Sequence, residues 1–230
     1  VLMLFNTDVD AAFAKLQELE NMLATEWTAV SGQNKAILEY MVDQLYVTYY
    51  AFKADYAKRF EYSVAIQEHV NVLREYDMIA NLNKILTGYS YLLQMYNMTQ
   101  QKEAALALAY EVDAMYSMAK ARGHEDTAVA GDIATAYMMG GDVDLALEYF
   151  EENHRYYDVK HWKHPEIGSG ILGGEMTEIS YLTTDGNQKE ALVSYWDAYS
   201  YTAYWHPKWF LEPFLQSEVN KGIIVQNPGY

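Results

Sequence analysis

The placement of proline limits this fold more than any other feature of the sequence. All four prolines, Pro165, Pro207, Pro213 and Pro228, fall in the last third of the chain. The first 164 residues are therefore free of the strongest helix breaker. Within that stretch apolar side chains recur at helical intervals. From Ala36 to Lys58, for example, Ile37, Tyr40, Met41, Gln44, Leu45 and Thr48 return every three or four residues and form one mostly apolar stripe along a helix. Strand-like alternation appears nowhere at comparable length. Short polar or glycine-bearing breaks at Ser31-Gly32, Thr99-Gln100, Gly123-His124, Gly140-Gly141 and Asp185-Gly186 cut the pattern into helices of about 15 to 25 residues. The expectation is an all-α chain of helix, short turn, helix, with about 9–11 helices.

Composition narrows the range of partners. With 51% apolar residues in 230, the chain has material for one sizeable core or an extended helical stack. Its net charge is -16, and no run of Lys or Arg forms a stripe that could follow a phosphate backbone, which argues against nucleic acid and anionic membrane. No apolar run approaches the ~20 residues that span a bilayer, so membrane insertion is not expected. A soluble protein is expected, with the cytoplasm as its default compartment. Cysteine is absent, which removes disulfides, thiolate metal sites and a cysteine nucleophile. The chain begins at Val1 without an initiator methionine, as a processed protein or a segment of a longer one would.

Repeats carry more specific information. The clearest unit runs from Tyr137 through Gly141, Asp142, Ala146 and Leu147 to Phe150, with Ala134 one turn before it. A second has Gly186, Ala191, Leu192 and Tyr195, with the same spacing from glycine to alanine and with Ala198 at the next small position. Small residues let two helices of a hairpin approach closely, aromatic ones fill the space beside them, and glycine turns the chain between them. At these positions the sequence resembles the tetratricopeptide-repeat family. Weaker copies place Ala105-Leu106 after Gln100-Gln101-Lys102 and Ala65-Ile66 after Phe60, and Asp8 to Ala12 echoes Asp142 to Ala146. The key alanines then stand at 12, 65, 105, 146 and 191. Their separations of 53, 40, 41 and 45 residues are closer to long-helix variants than to the consensus of about 34. His164-Pro165 and His206-Pro207, 42 residues apart, each sit where a new first helix would start. The resemblance implies a right-handed α-solenoid of antiparallel hairpins over residues 1–220, followed by a tail at 221–230. A plain helical bundle with coincidental alanines is the alternative.

Candidates for chemistry are few. His154, Asp158, His161, His164 and Glu166 form the densest polar group, but Trp162 and Pro165 interrupt it and no second cluster completes a coordination sphere. The histidines are therefore minor metal candidates, and neither a metal nor another cofactor is expected. Gly168-Ser169-Gly170 with Gly173-Gly174 matches a dinucleotide fingerprint in letters, yet no strand precedes it, as that motif requires. No serine elbow, zinc-protease helix or phosphate loop is present, so an enzyme is not expected.

In stacked tetratricopeptide hairpins the first helix of each unit lines a concave face. The resemblance carries that face over to Tyr50, Ala54 and Lys58, then Ser90, Gln94, Asn97 and Met98. The better-matched units add Thr135, Met138 and Met139, then Met176, Ser180, Thr183 and Thr184. Such a polar, uncharged, methionine-bearing set suits an extended peptide or a helix. The Lys/Asn clamp of chaperone-binding family members is not matched, since only Lys58 and Asn97 have a suitable type. The C-terminal aromatics Trp205, Trp209, Phe210 and Phe214 read as a cap on the last hairpin or as a homodimer surface. The expected function is a peptide- or protein-binding module, the input or regulatory part of a larger bacterial signalling protein. A self-associating structural scaffold is the alternative, and a histidine-dependent metal protein or enzyme ranks below both.

Overall fold

The computed structural model describes residues 8–53, 55–123, 129–160 and 186–201. These residues form eight helices and no strand. They are α1 (Val9–Thr25), α2 (Gly32–Phe52), α3 (Tyr56–Asp77), α4 (Leu82–Met98), α5 (Lys102–Ala121), α6 (Ala130–Gly140), α7 (Val143–Lys160) and α8 (Gln188–Tyr201). None of the described helices is long and apolar enough to cross a membrane.

Local chemistry explains where the helices start and stop. Asp8 caps α1 by accepting from the Ala11 amide at 2.9 Å, and Asp142 accepts from the Leu145 amide at 3.1 Å at the start of α7. Gly141 ends α6 at a φ of 95°, a left-handed conformation that costs glycine nothing. The Asp142 amide then donates back to the Tyr137 carbonyl and the Gly141 amide to that of Met138, each at 3.0 Å. One expected helix is in fact two, because the apolar stripe from Ala36 to Lys58 is broken after Phe52. Asp55 caps a new helix there by accepting from the Lys58 amide at 3.1 Å.

The chain separates into two compact units, Val1–Leu92 and Leu93–Tyr230. The expected tail, 221–230, lies outside the described residues. In the first unit α1 packs on α2 and α2 on α3. Ala12 and Leu16 of α1 are buried against Val42, Tyr46 and Tyr49 of α2. Rings continue this core: Phe13 stacks on Tyr49 and Tyr46 on Tyr62, both at 4.4 Å between centroids. The N-terminal part of α4 lies close against α3. A Cβ built on Gly88 would stand 2.5 Å from Val70 Cγ2 and 3.0 Å from Ile66 Cγ2, and Gln67 Nε2 donates to the Gly88 carbonyl at 3.0 Å.

In the second unit α5 packs on α6, α6 on α7, and α7 on α8. Helix α6 is buried on every side from Ala130 to Met139, as a helix with no polar face must be. The small and aromatic residues that carry the repeat pattern, Ala134, Tyr137, Ala146 and Phe150, are all buried, as are Ala105 and Ala191. Ala65 is only half-buried, and its neighbour Ile66 fills the core instead. One carboxylate ties three helices of this unit together: Asp113 of α5 accepts from the hydroxyls of Tyr137 on α6, at 2.7 Å, and Tyr149 on α7. Burial and this hydrogen bond both push the two phenols well above the usual tyrosine range.

Candidate functional site

The side chains expected to line an open groove are mostly inside the protein. Ser90, Gln94, Asn97, Met98, Thr135, Met138 and Met139 are all buried. Gln94 Nε2 donates to Asp132 Oδ2 at 3.2 Å, Asn97 Nδ2 donates to the Asp132 carbonyl at 2.9 Å, and the Thr135 hydroxyl donates to the Gly131 carbonyl at 2.7 Å. The donors of Gln94, Asn97 and Thr135 thus satisfy buried backbone and carboxylate groups. This corrects the expectation of an open face built from these positions: α6 has no polar side to turn toward water. Tyr50 is half-buried within the ring cluster of the first unit, stacked 5.6 Å from Tyr62. Lys58 is exposed and bonded to Glu61 at 2.7 Å in the first turn of α3, not on the helix to which the repeat register assigned it. Ala54, Met176, Ser180, Thr183 and Thr184 lie outside the described residues. So do His161, His164, Glu166, the glycine stretch at 168–174, and the aromatics Trp205, Trp209, Phe210 and Phe214. His154 and Asp158 are on α7, but their side chains are outside what is described. Among the described residues no group of three or more His, Asp or Glu is arranged to hold a metal ion.

A concave site does exist in the first unit. It is a cleft of about 550 Å³ built from α1, the connection after it, α2 and α3. Three features of the sequence form it. On α2, Lys35, Glu39 and Asp43 follow at intervals of four and share one face, with Leu38 and Val42 beside them. On α1, Glu20 and Leu23 line the same space. Between the two helices the chain turns through Trp27, whose amide donates to the Met22 carbonyl at 3.0 Å and whose carbonyl accepts from the Val30 amide at 3.0 Å. These two bonds hold the backbone that carries the indole, which is half-buried and lines the cleft.

The polar groups of the cleft are organised around His69 of α3. Its Nε2 stands 3.0 Å from Asp43 Oδ2 and its Nδ1 stands 3.7 Å from Glu39 Oε2. The Lys35 ammonium reaches Glu39 Oε1 at 3.5 Å. On the α1 side, Glu20 Oε2 accepts from the Tyr46 hydroxyl at 2.5 Å. Burial and then that carboxylate raise the phenol far above its ordinary value. The result is a recess whose walls mix apolar side chains and an indole with three carboxylates, one ammonium and one imidazole. The recess therefore offers apolar contact and charged groups side by side.

None of Glu20, Trp27, Lys35, Glu39, Asp43 or His69 was singled out from the sequence. The four-residue spacing on α2 was visible there, but it is also what any solvated helix face shows. Only the packing of α3 on α2 brings His69 to that face. No family model, no curated protein and no solved structure matches this chain. The tetratricopeptide resemblance therefore rests on the residues quoted above.

Proposed function

We propose that this chain is a helical-hairpin binding module that holds a peptide or protein segment and does no chemistry on it, and that the segment is received by the cleft of the first unit. The cleft carries this reading, because it is a recess with an indole, aliphatic walls and charged groups positioned by helix packing. Two further observations support a module of the tetratricopeptide kind. Helices pack on their neighbours in sequence within each unit, as repeats that contact only adjacent repeats do. Of the residues that carry the resemblance, Ala12, Ala105, Ala134, Tyr137, Ala146, Phe150 and Ala191 are buried. This reading puts the binding surface on α1 to α3 instead of along Gln94, Asn97 and Met139, which are buried.

The test is selection of peptides from a random display library on the whole chain, followed by calorimetry with wild type and with Trp27→Ala and Leu38→Glu. A loss of at least about tenfold in affinity for both variants, with helicity unchanged, is expected if an anchor side chain sits in the cleft. Selected peptides whose affinity is the same for wild type and both variants would place the binding surface elsewhere.

A further inference from the structure

We propose that the cleft of the first unit is selective for a peptide segment that presents an arginine, its guanidinium held by Glu39 and Asp43 and covered by Trp27. This rests on the binding role proposed above and names the chemistry that would be recognised. The case begins with charge complementarity. Three carboxylates, Glu20, Glu39 and Asp43, face a single ammonium among the lining residues. Such an imbalance draws in cations.

A second observation comes from the chain itself. The Lys35 side chain is 58% exposed, yet its ammonium is already directed at Glu39 Oε1, so an intramolecular cation marks where an external one would be held. At 3.5 Å this contact is too long for a good hydrogen bond, and one flexible, exposed lysine is a weak competitor. One acceptor, by contrast, is held in place. Asp43 is fixed by His69 at 3.0 Å, and both side chains are only 17% exposed, so the carboxylate does not have to be ordered when the ligand arrives.

Geometry favours arginine over other cations. Glu39 and Asp43 are one helical turn apart on α2, a spacing of about 5 to 6 Å between their Cβ atoms that a planar fork of several donors can bridge. Indole is also the best aromatic partner for a guanidinium, and Trp27 lines the same cleft. The aliphatic side chains of Leu23, Leu38 and Val42 give the stem of such a residue an apolar surface to lie along.

Three probes test this: the blocked tripeptides Leu-Arg-Leu, Leu-norleucine-Leu and Leu-Glu-Leu, titrated into the isotope-labelled whole chain. The readout is the indole N–H resonance of Trp27, assigned by its absence in Trp27→Phe. The arginine peptide is expected to shift that signal saturably, at a dissociation constant at least about tenfold below that of the norleucine peptide. The glutamate peptide should leave it unmoved. Added salt should weaken the arginine peptide alone. In the isosteric variant Glu39→Gln, Asp43→Asn the advantage of arginine over norleucine should disappear while the norleucine affinity is kept. Equal affinities for arginine and norleucine in wild type would overturn arginine selectivity but leave a peptide-holding cleft in place. No movement of the Trp27 signal with any of the three at millimolar concentration would overturn both.

Discussion

Replacing Gly88 by alanine separates two opposed effects whose sizes differ enough to decide the outcome. In an exposed helix the change would stabilise, since alanine is better than glycine by about 1 kcal/mol in a helix interior. Here the new methyl would stand 2.5 Å from Val70 Cγ2, 3.0 Å from Ile66 Cγ2 and 3.3 Å from Tyr40 Cε2, whereas carbon atoms rest at about 3.5 to 4.0 Å. Val70 and Ile66 are fully buried and β-branched, so neither has a second rotamer within a helix to retreat to. Either α4 moves away from α3 by about 1 Å, weakening the Gln67 bond to the Gly88 carbonyl, or side chains leave their rotamers. Overpacking of this kind costs about 3 kcal/mol at the upper end of the usual range, which leaves a net loss of about 2 kcal/mol after the propensity gain. Urea denaturation followed by far-ultraviolet circular dichroism measures the change directly. A companion experiment tests the cause. Val70→Ala alone opens a cavity and destabilises, but in the Gly88→Ala background it should cost at least about 1 kcal/mol less, because it removes the clashing methyl. A Gly88→Ala protein as stable as wild type or more so would refute the close approach of α3 and α4.

Two further outcomes follow from the buried polar groups. Asn97→Ala removes the donor to the Asp132 carbonyl and leaves a hole in a fully packed region, so a loss of about 2 to 3 kcal/mol in urea is expected; a change within about 0.5 kcal/mol would mean that Asn97 is an exposed residue after all. Alkali should unfold the protein in a defined window, because burial pushes Tyr62 up to about 12 and raises Tyr40, Tyr46, Tyr137 and Tyr149 further, while the same phenols in the unfolded chain ionise near pH 10. A folded value above the unfolded one means the stability is fully present below about pH 10 and is lost as the pH rises through the folded values. Tyrosinate absorbance from these buried rings should accordingly rise steeply and together with helix loss. A single titration near pH 10 with no loss of helix would contradict the burial.

What could and could not be read from the sequence follows from the range of the interactions involved. Helix punctuation is local, and it was legible: Gly123, Gly141 and Gly186 all take positive φ at helix ends, and the turn at Thr99-Gln100 lies between α4 and α5. The break between α2 and α3 was missed because the apolar stripe runs on through it, and the deciding signal is a single aspartate of a kind found throughout the chain. The burial of the expected groove positions was missed for a different reason. The groove's register assumed that the first helix of each hairpin keeps one face open. Yet between Ala130 and Met139 only Asp132, Thr135 and the Tyr137 hydroxyl are polar, and a helix so composed has no face to present to water. That composition was itself a signal for burial, and it should outrank a repeat register when the two conflict, because burial follows from the residues while register follows from analogy. The cleft marks the limit of this kind of inference. Lys35, Glu39 and Asp43 announce a charged helix face, but His69 lies 26 residues beyond Asp43. Nothing short of the packing of α3 on α2 distinguishes a site from a solvated stripe, and the same dependence makes the imidazole contact to Asp43 sensitive to any substitution that shifts α3.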